Sequence, residues 1–307
     1  MGAAAIIGAG LIGRAWAIVF ARAGWNVTLY DSAAGVRDRA KTEIAASLAE
    51  MAEQGLMADP ATESRIRVSQ SIAEAVPGAA LVQECGPETV EAKLAIFAEL
   101  DRLADPQAIL ASSTSAIIAS RFTEHLKGRA RCLVAHPVNP PHLVPIVELV
   151  PSPWTSADVV QRAKAIYEAI DQVPIVVRKE VEGFILNRLQ GALLAEAFRL
   201  VGEGYVSPRD LDKTIKDGLG LRWSFMGPFE TIELNAPGGI PDYCARYLGF
   251  YARLLEDPPI YAYTDVNVAR IIAQWETPPA GDLPKLSRRR DRKLAALRTH
   301  KIKAGEL

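Results

Sequence analysis

The sequence has 307 residues, enough for two domains, and its 35 Lys and Arg nearly cancel its 36 Asp and Glu to leave a net charge of −1. That balance gives no electrostatic reason to expect nucleic acid or an anionic membrane as partner. Three cysteines, Cys85, Cys132 and Cys244, lie far apart and odd in number, which excludes a disulfide framework or a CxxC metal site.

The first element is the apolar run Ala3-Ala4-Ala5-Ile6-Ile7, which reads as a strand starting too near the first residue to leave room for a signal peptide. The expected compartment is a reducing cytoplasm, and no apolar run approaches the length of a membrane span. The turn Gly8-Ala9-Gly10-Leu11-Ile12-Gly13 follows, then a helical segment over 14–24, then the strand-like run 25–30 ending in Asp31. Strand, glycine turn, helix, strand and acid is the context a dinucleotide fingerprint requires. Gly8 permits the tight turn, Gly10 allows close approach of a pyrophosphate, and Gly13 lets the helix pack on the sheet. The helix start at Leu11 and Ile12 offers unpaired N–H groups to phosphate. Asp31 accepts hydrogen bonds from a ribose diol and repels a 2′-phosphate, and Ser32 rather than an arginine comes next, so NAD is expected over NADP.

Further along, a helix is predicted over 33–54, ended by Gly55, and short strands over 66–69 and 80–85, the latter closing on Gly86-Pro87. A helix over 89–102 and strands over 108–112 and 132–136 follow. Next come the proline-rich loop 137–141, a strand over 144–150, a helix over 156–170 and a strand over 173–177. Strands alternating with helices predict an α/β fold with a doubly wound, parallel Rossmann-type sheet. From about Glu180 the strands stop and helices take over. The expected division is an NAD-binding domain over 1–180 and an all-helical domain over 181–307. The basic end, with Arg288-Arg289-Arg290, reads as a solvated helix face rather than a nucleic-acid patch.

Ligands of doubly wound folds bind at the carboxyl ends of strands. His136 closes one strand, Glu148 lies twelve residues on, Ser115 ends a Ser/Thr cluster after the strand before His136, and Asn187 interrupts the apolar helix over 183–201. A neutral His can take the proton of an alcohol, a carboxylate beside it stabilises the cation formed, and Ser and Asn can hold the reacting oxygen. Each also has a plain structural explanation, as a satisfied core group, a helix cap or an interhelical hydrogen bond, and spacing alone does not bring the four together.

The runs Ala135-His136-Pro137-Val138-Asn139-Pro140, Glu148, and Gly183-Phe184-Ile185-Leu186-Asn187-Arg188 resemble the L-3-hydroxyacyl-CoA dehydrogenase superfamily over nearly the whole chain. Ser113-Thr114-Ser115, the stretch 179–190, Val206-Ser207-Pro208-Arg209-Asp210-Leu211-Asp212 and Gly218-Leu219-Gly220-Leu221-Arg222 resemble in particular the branch containing L-gulonate 3-dehydrogenase, or lambda-crystallin. The resemblance implies that His136 is the catalytic base, Glu148 its partner, and Ser115 and Asn187 the residues on the substrate oxygen. It implies cofactor contacts for Glu88, Lys93 and Asn139. It also implies a homodimer built by the helical domain, and no metal is expected. Acyl-CoA members generally lack an arginine at Arg222, whereas gulonate and carnitine dehydrogenases are similar there. Arg222 is therefore expected to grip the carboxylate of a small free hydroxy acid, since a guanidinium matches a carboxylate with two parallel hydrogen bonds. An interdomain or dimer salt bridge would explain the same arginine. Three other functions stay open: a short-chain 3-hydroxyacyl-CoA dehydrogenase, a carnitine dehydrogenase using Trp223, Phe225, Phe229 and Tyr243 around a quaternary ammonium, and a non-catalytic NAD-binding protein.

Overall fold

Eight short strands make one sheet: β1 Ala3–Ile7, β2 Asn26–Tyr30, β3 Ile66–Val68, β4 Leu81–Glu84, β5 Ile109–Ser112, β6 Cys132–Pro137, β7 Ile146–Pro151 and β8 Val173–Val176. They appear in a computed structural model that describes residues 2–56, 59–254, 264–274 and 282–305. The strand order is β3-β2-β1-β4-β5-β6-β7-β8. Every neighbouring pair is parallel except β6 and β7, which run antiparallel. The sheet is thus the expected Rossmann type, with one correction: the run that contains Glu148 comes back antiparallel, so Glu148 sits near the beginning of its strand. Apolar residues on both faces of the run carry no signal of direction, which is why the sequence does not distinguish the two senses.

Alternate residues of each strand enter opposite layers. Ala4, Ile6, Leu81, Ile109, Ala111, Leu133 and Ala135 join one core with Trp16, Phe20 and Ile44, from helices Leu11–Arg22 and Ala34–Glu53, and with Tyr167, from helix Ala157–Ala169. Ala5, Ile7, Val82, Leu110, Cys132 and Val134 join the other with Phe97 of helix Val90–Leu103, Phe122 and Phe184. Burying each large side chain stabilises the fold by about 1.5–3 kcal/mol. The sequence supplies stops as well as faces. Thr89 and Ser156 cap the helices that follow them, accepting from Ala92 N at 3.2 Å and Val159 N at 3.3 Å.

The chain divides into two compact units, one of residues up to 187 together with 284–305, the other of residues 188–283. Helix Leu186–Gly202 leaves the first unit after Asn187. The second unit is helical, with Pro208–Lys213, the π-turn Thr214–Leu219, Gly220–Trp223, Pro228–Leu234, Gly239–Leu254 and Asp265–Gln274, and no strand among the described residues. This differs from the division expected at 180/181, because the last helix, Leu283–Lys303, returns to the first unit. Ala295 is buried in the first core, Arg298 donates to the carbonyls of Leu143 and Asp171, both at 3.2 Å, and Thr299 donates to that of Gln54 at 2.9 Å. The same helix leaves Arg288, Arg289 and Arg290 exposed.

Candidate active site

At one edge of the sheet the six strands β1 to β6 end and the two strands β7 and β8 begin. At the end of β1 the chain turns through Gly8 at a φ of +107°, where a Cβ would lie 2.4 Å from the Cys85 carbonyl oxygen. A Cβ on Gly13 would lie 1.8 Å from the Gly8 carbonyl oxygen, so helix Leu11–Arg22 abuts the turn directly. Gly10 differs: nothing lies within 4 Å of where its Cβ would be. The helix that starts there has no side-chain cap and no acid in its first turn, so its first N–H groups face open space with the positive end of the dipole behind them. Asp31, at the end of β2, accepts from Ala9 N and Ala33 N, both at 2.8 Å, one on each carboxylate oxygen. The acid is fixed and still has lone pairs for a diol. Open space over Gly10, an uncapped helix start and a held carboxylate are what a dinucleotide needs, and these residues fit NAD. Two arginines not singled out from sequence frame this corner. Arg14 donates to the Ala9 carbonyl at 2.7 Å, and Arg37 donates to the carbonyls of Asp31 and Ser32 and lies over the Tyr30 ring.

The second cluster is built by the antiparallel pair. The β6–β7 register sets His136 opposite Glu148, and His136 Nδ1 lies 2.8 Å from Glu148 Oε2. Both are buried, at 6% and 1% exposure. The other carboxylate oxygen accepts from Ile185 N at 2.8 Å and Leu186 N at 3.0 Å. The chain reaches those amides through Gly183 and Phe184, both at positive φ, and the Phe184 ring lies 5.3 Å from the imidazole. Burial pushes the Glu148 carboxyl up, but its hydrogen bonds from His136, Leu186 and Ile185 outweigh that and hold it below the usual carboxylate range. An ionised carboxylate only accepts, so the imidazole proton sits on Nδ1 and Nε2 carries a lone pair. A dry, oriented imidazole with a free Nε2 can remove a proton from an alcohol.

The Ser/Thr run after β5 splits by function. Ser112 donates to Glu84 at 2.6 Å, Thr114 donates to Glu88, and Ser115 is exposed with its own N–H on Glu88 Oε1 at 2.7 Å. Asn187 Nδ2 donates to the Ser115 carbonyl at 2.7 Å, so the structure brings these two together. Glu88 uses Oε1 to hold the loop 114–116. Lys93 is 1% exposed and pairs with Glu84 at 2.8 Å and Glu88 at 3.7 Å, presenting no open ammonium. Asn139 is exposed in the loop after β6. Arg222 belongs to the second unit, where its buried Nε has no hydrogen-bond partner.

The chain matches the 3-hydroxyacyl-CoA dehydrogenase NAD binding domain over residues 3–181 and the C-terminal domain of the same family over 183–264. It belongs to the 3-hydroxyacyl-CoA dehydrogenase family. Among its relatives, the lambda-crystallin homolog of Rattus norvegicus is 46% identical over 259 residues, 83% of this chain and 81% of that protein. The L-carnitine dehydrogenase of Pseudomonas putida is 40% identical over 230 residues, 75% of this chain and 71% of that one. Among solved structures, an NAD+-dependent 5-formyl-3-hydroxy-2-methylpyridine 4-carboxylic acid 5-dehydrogenase superposes with a TM-score of 0.86 at 28% identity, each chain covered in full. As a family member this protein is an NAD-dependent dehydrogenase, and no helix among its described residues is long and apolar enough to cross a membrane.

Sequence reading of this family member did not single out Gln83 and Glu84 of β4, both wholly buried and hydrogen-bonded to the Ser/Thr run. The available signal was their type: neighbouring polar and charged residues in a strand covered on both faces are rarely there without partners.

Proposed function

We propose that this dehydrogenase oxidises the 3-hydroxyl of a small free hydroxy acid to a ketone, with L-gulonate as the lead substrate and His136 as general base. The observation that carries the reading is the buried His136–Glu148 pair, which leaves Nε2 as the only ring atom able to accept a proton. His136 takes the hydroxyl proton, and Glu148, kept ionised, stabilises the imidazolium that forms. NAD, when bound, supplies the acceptor for the hydride that leaves the same carbon. The exposed Ser115 hydroxyl holds the reacting oxygen. Asn187 spends one N–H on the Ser115 carbonyl and keeps its remaining polar capacity for the substrate. Gly10 and the amides of Leu11 and Ile12 receive the pyrophosphate in the turn that Gly8 and Gly13 shape, and Asp31 receives the ribose. Glu88 and Lys93 support the cofactor edge through the loop 114–116 and through Glu84, and Asn139 lies on the nicotinamide side.

Arg222 is the residue we assign to the substrate carboxylate. Support comes from its unpartnered buried Nε and from the likeness to the lambda-crystallin homolog and L-carnitine dehydrogenase. Carnitine is the second reading. Trp223, Phe225 and Phe229 present exposed rings in the same segment, as recognition of a quaternary ammonium requires. A homodimer in the cytoplasm completes the proposal, supported by the exposed Leu189, Phe229 and Leu234 of the second unit. Light scattering of the purified protein checks the dimer.

The test is NADH formation with free L-gulonate, 3-hydroxybutyrate and L-carnitine beside 3-hydroxybutyryl-CoA, repeated with NADP. Turnover of a free acid with the thioester inert supports the reading. Arg222→Met should then raise KM about 10- to 100-fold, the loss of a charged hydrogen-bond pair. Turnover of the thioester alone overturns the substrate, and NAD binding without any turnover overturns the catalytic reading.

A further inference from the structure

Gln83 occupies the middle of β4 on the face lined by Leu81, Ala111, Ala135, Trp16 and Tyr167. It is wholly buried. A primary amide in that setting is costly unless all its capacity is used. Here it is used. Gln83 Nε2 donates to Ser113 Oγ at 2.7 Å and to the Ala135 carbonyl at 3.3 Å, and Gln83 Oε1 accepts from the Tyr167 hydroxyl. Ser113 Oγ also accepts from Trp16 Nε1 at 3.1 Å, which turns its own proton toward Cys85 Sγ at 3.3 Å, and the Cys85 thiol donates to the Gln83 carbonyl. Every proton of the cluster has a destination.

The place of this cluster gives it a purpose beyond packing. The β5–β6 register runs from Leu110 opposite Cys132 to Ser112 opposite Val134 and stops there. Beyond that point the two chains part. β5 turns off into the loop that carries Ser115, while β6 continues through Ala135 to His136. The Gln83 side chain reaches from β4 into this fork. One N–H holds Ser113, two residues before Ser115, and the other holds the carbonyl of Ala135, whose peptide bond leads into His136.

We propose that Gln83 is a positioning residue that fixes the Ser115 loop and the His136 strand relative to one another where the ladder between them has ended. The proposal rests on the reading of Ser115 and His136 as the groups that meet the substrate. A shift of about 1 Å between reacting groups costs on the order of 100-fold in rate. Replacing the two donors by apolar atoms of similar reach should therefore affect turnover more than binding.

The experiment compares the wild type with Gln83→Met, which keeps the length of the side chain, and with Tyr167→Phe, which removes only the partner of Oε1. A Gln83→Met/Tyr167→Phe double variant leaves no hydroxyl stranded if the single variant folds poorly. NAD affinity, kcat and KM are measured, and 15N-histidine spectra report the His136 ring, with the signal assigned by His136→Gln. Gln83→Met and the double variant should keep NAD affinity within about twofold and lower kcat about 10- to 100-fold. The His136 ring resonances should shift as the strand that carries the ring moves, while Tyr167→Phe stays near the wild type. A folded Gln83→Met or double variant whose kcat or His136 resonances match the wild type overturns the proposal. If the wild type oxidises no hydroxy acid, the functional reading falls, and the spectra, which need no substrate, decide the role of Gln83 alone.

Discussion

Replacing Glu148 by Gln changes one atom of the side chain and should inactivate the enzyme through the imidazole rather than through the fold. In the native site Glu148 Oε1 accepts two backbone amides, those of Ile185 and Leu186, and Oε2 faces His136 Nδ1. The Gln variant has one oxygen and one NH2 to divide between these neighbours. If the NH2 turned to the backbone, two buried N–H groups would lose their acceptor, at about 1–3 kcal/mol each. The oxygen therefore stays with Ile185 and Leu186, and the NH2 faces Nδ1. Two donors cannot meet, so the imidazole gives up its Nδ1 proton and carries it on Nε2, the atom proposed above to take the substrate proton. A carboxylate-to-amide change behind a catalytic histidine elsewhere lowers kcat on the order of 10⁴-fold by this route, and about 10³- to 10⁴-fold is expected here. NAD affinity should move by less than about threefold, because the helix start and Asp31 are untouched, and stability should fall by about 1–3 kcal/mol for one weakened charged hydrogen bond. Initial-rate NADH formation, NAD titration and 15N-histidine spectra measure the three effects. A kcat within tenfold of the wild type, or a proton still on Nδ1, refutes the reasoning.

The glycine turn gives a paired prediction. Gly10→Ala, at φ −68° with open space around its Cβ, should fold normally and bind NAD at least about tenfold more weakly, whereas Gly13→Ala, facing the Gly8 carbonyl, should lower stability by about 1–3 kcal/mol or more; thermal melts with and without NAD separate them. His142 is pushed down to about 4 by burial first and then by Arg22 and Arg298. Its neutral form therefore stabilises the fold above its ordinary value near 6.5, and that contribution is lost as pH falls toward 4, by roughly 3 kcal/mol in all. Denaturant midpoints across that window should show the loss, and His142→Asn should flatten it. Lys93→Met strands the buried Glu84 carboxylate and should cost about 3–5 kcal/mol, while Glu84→Gln/Lys93→Met should recover much of it; equilibrium unfolding of the three proteins decides whether the pair is structural as well as near the cofactor.

The dinucleotide half of the proposed site could be read from the sequence because its requirements are local. Gly8, Gly13 and Asp31 are demanded by a turn, a helix contact and a diol within one β-α-β unit, and each shows in a single stretch of chain. From their spacing His136 and Glu148 were legible only as types; as a pair they came from the family resemblance. What joins them is the antiparallel return of β7, and a doubly buried strand reads the same in either direction. Glu88 and Lys93 came from the family resemblance, yet the groups that define them are Thr114, Ser115 and Glu84, distant in sequence. The last helix was read by its charges and assigned to the second domain. Its docking depends on Ala295, Arg298 and Thr299, three residues among many basic ones, and on carbonyl acceptors that no pattern in the sequence announces.

The reversal of strand direction at β7 has a chemical consequence. In a wholly parallel sheet every strand presents its carboxyl end at the site edge, and two neighbouring ends are separated by a full crossover. Here the chain leaves β6 at His136, turns through 138–145, and enters β7 at the same edge, so twelve residues bring acid and base into direct register. The pair is then held in the sheet ladder rather than on flexible loops, and the register fixes its separation. The price in burial is met by the third segment, 183–186, whose left-handed turn at Gly183 and Phe184 aims two amides at the carboxylate. Removing that turn should therefore disturb the base from the far side: Gly183→Val strains a φ of 74° that a β-branched residue rarely adopts. It should withdraw the Ile185 and Leu186 amides, raise the Glu148 carboxyl toward its ordinary range, and move the acid limb of the kcat profile to higher pH. An unchanged limb in a folded Gly183→Val would show that the two amides merely fill space around Glu148.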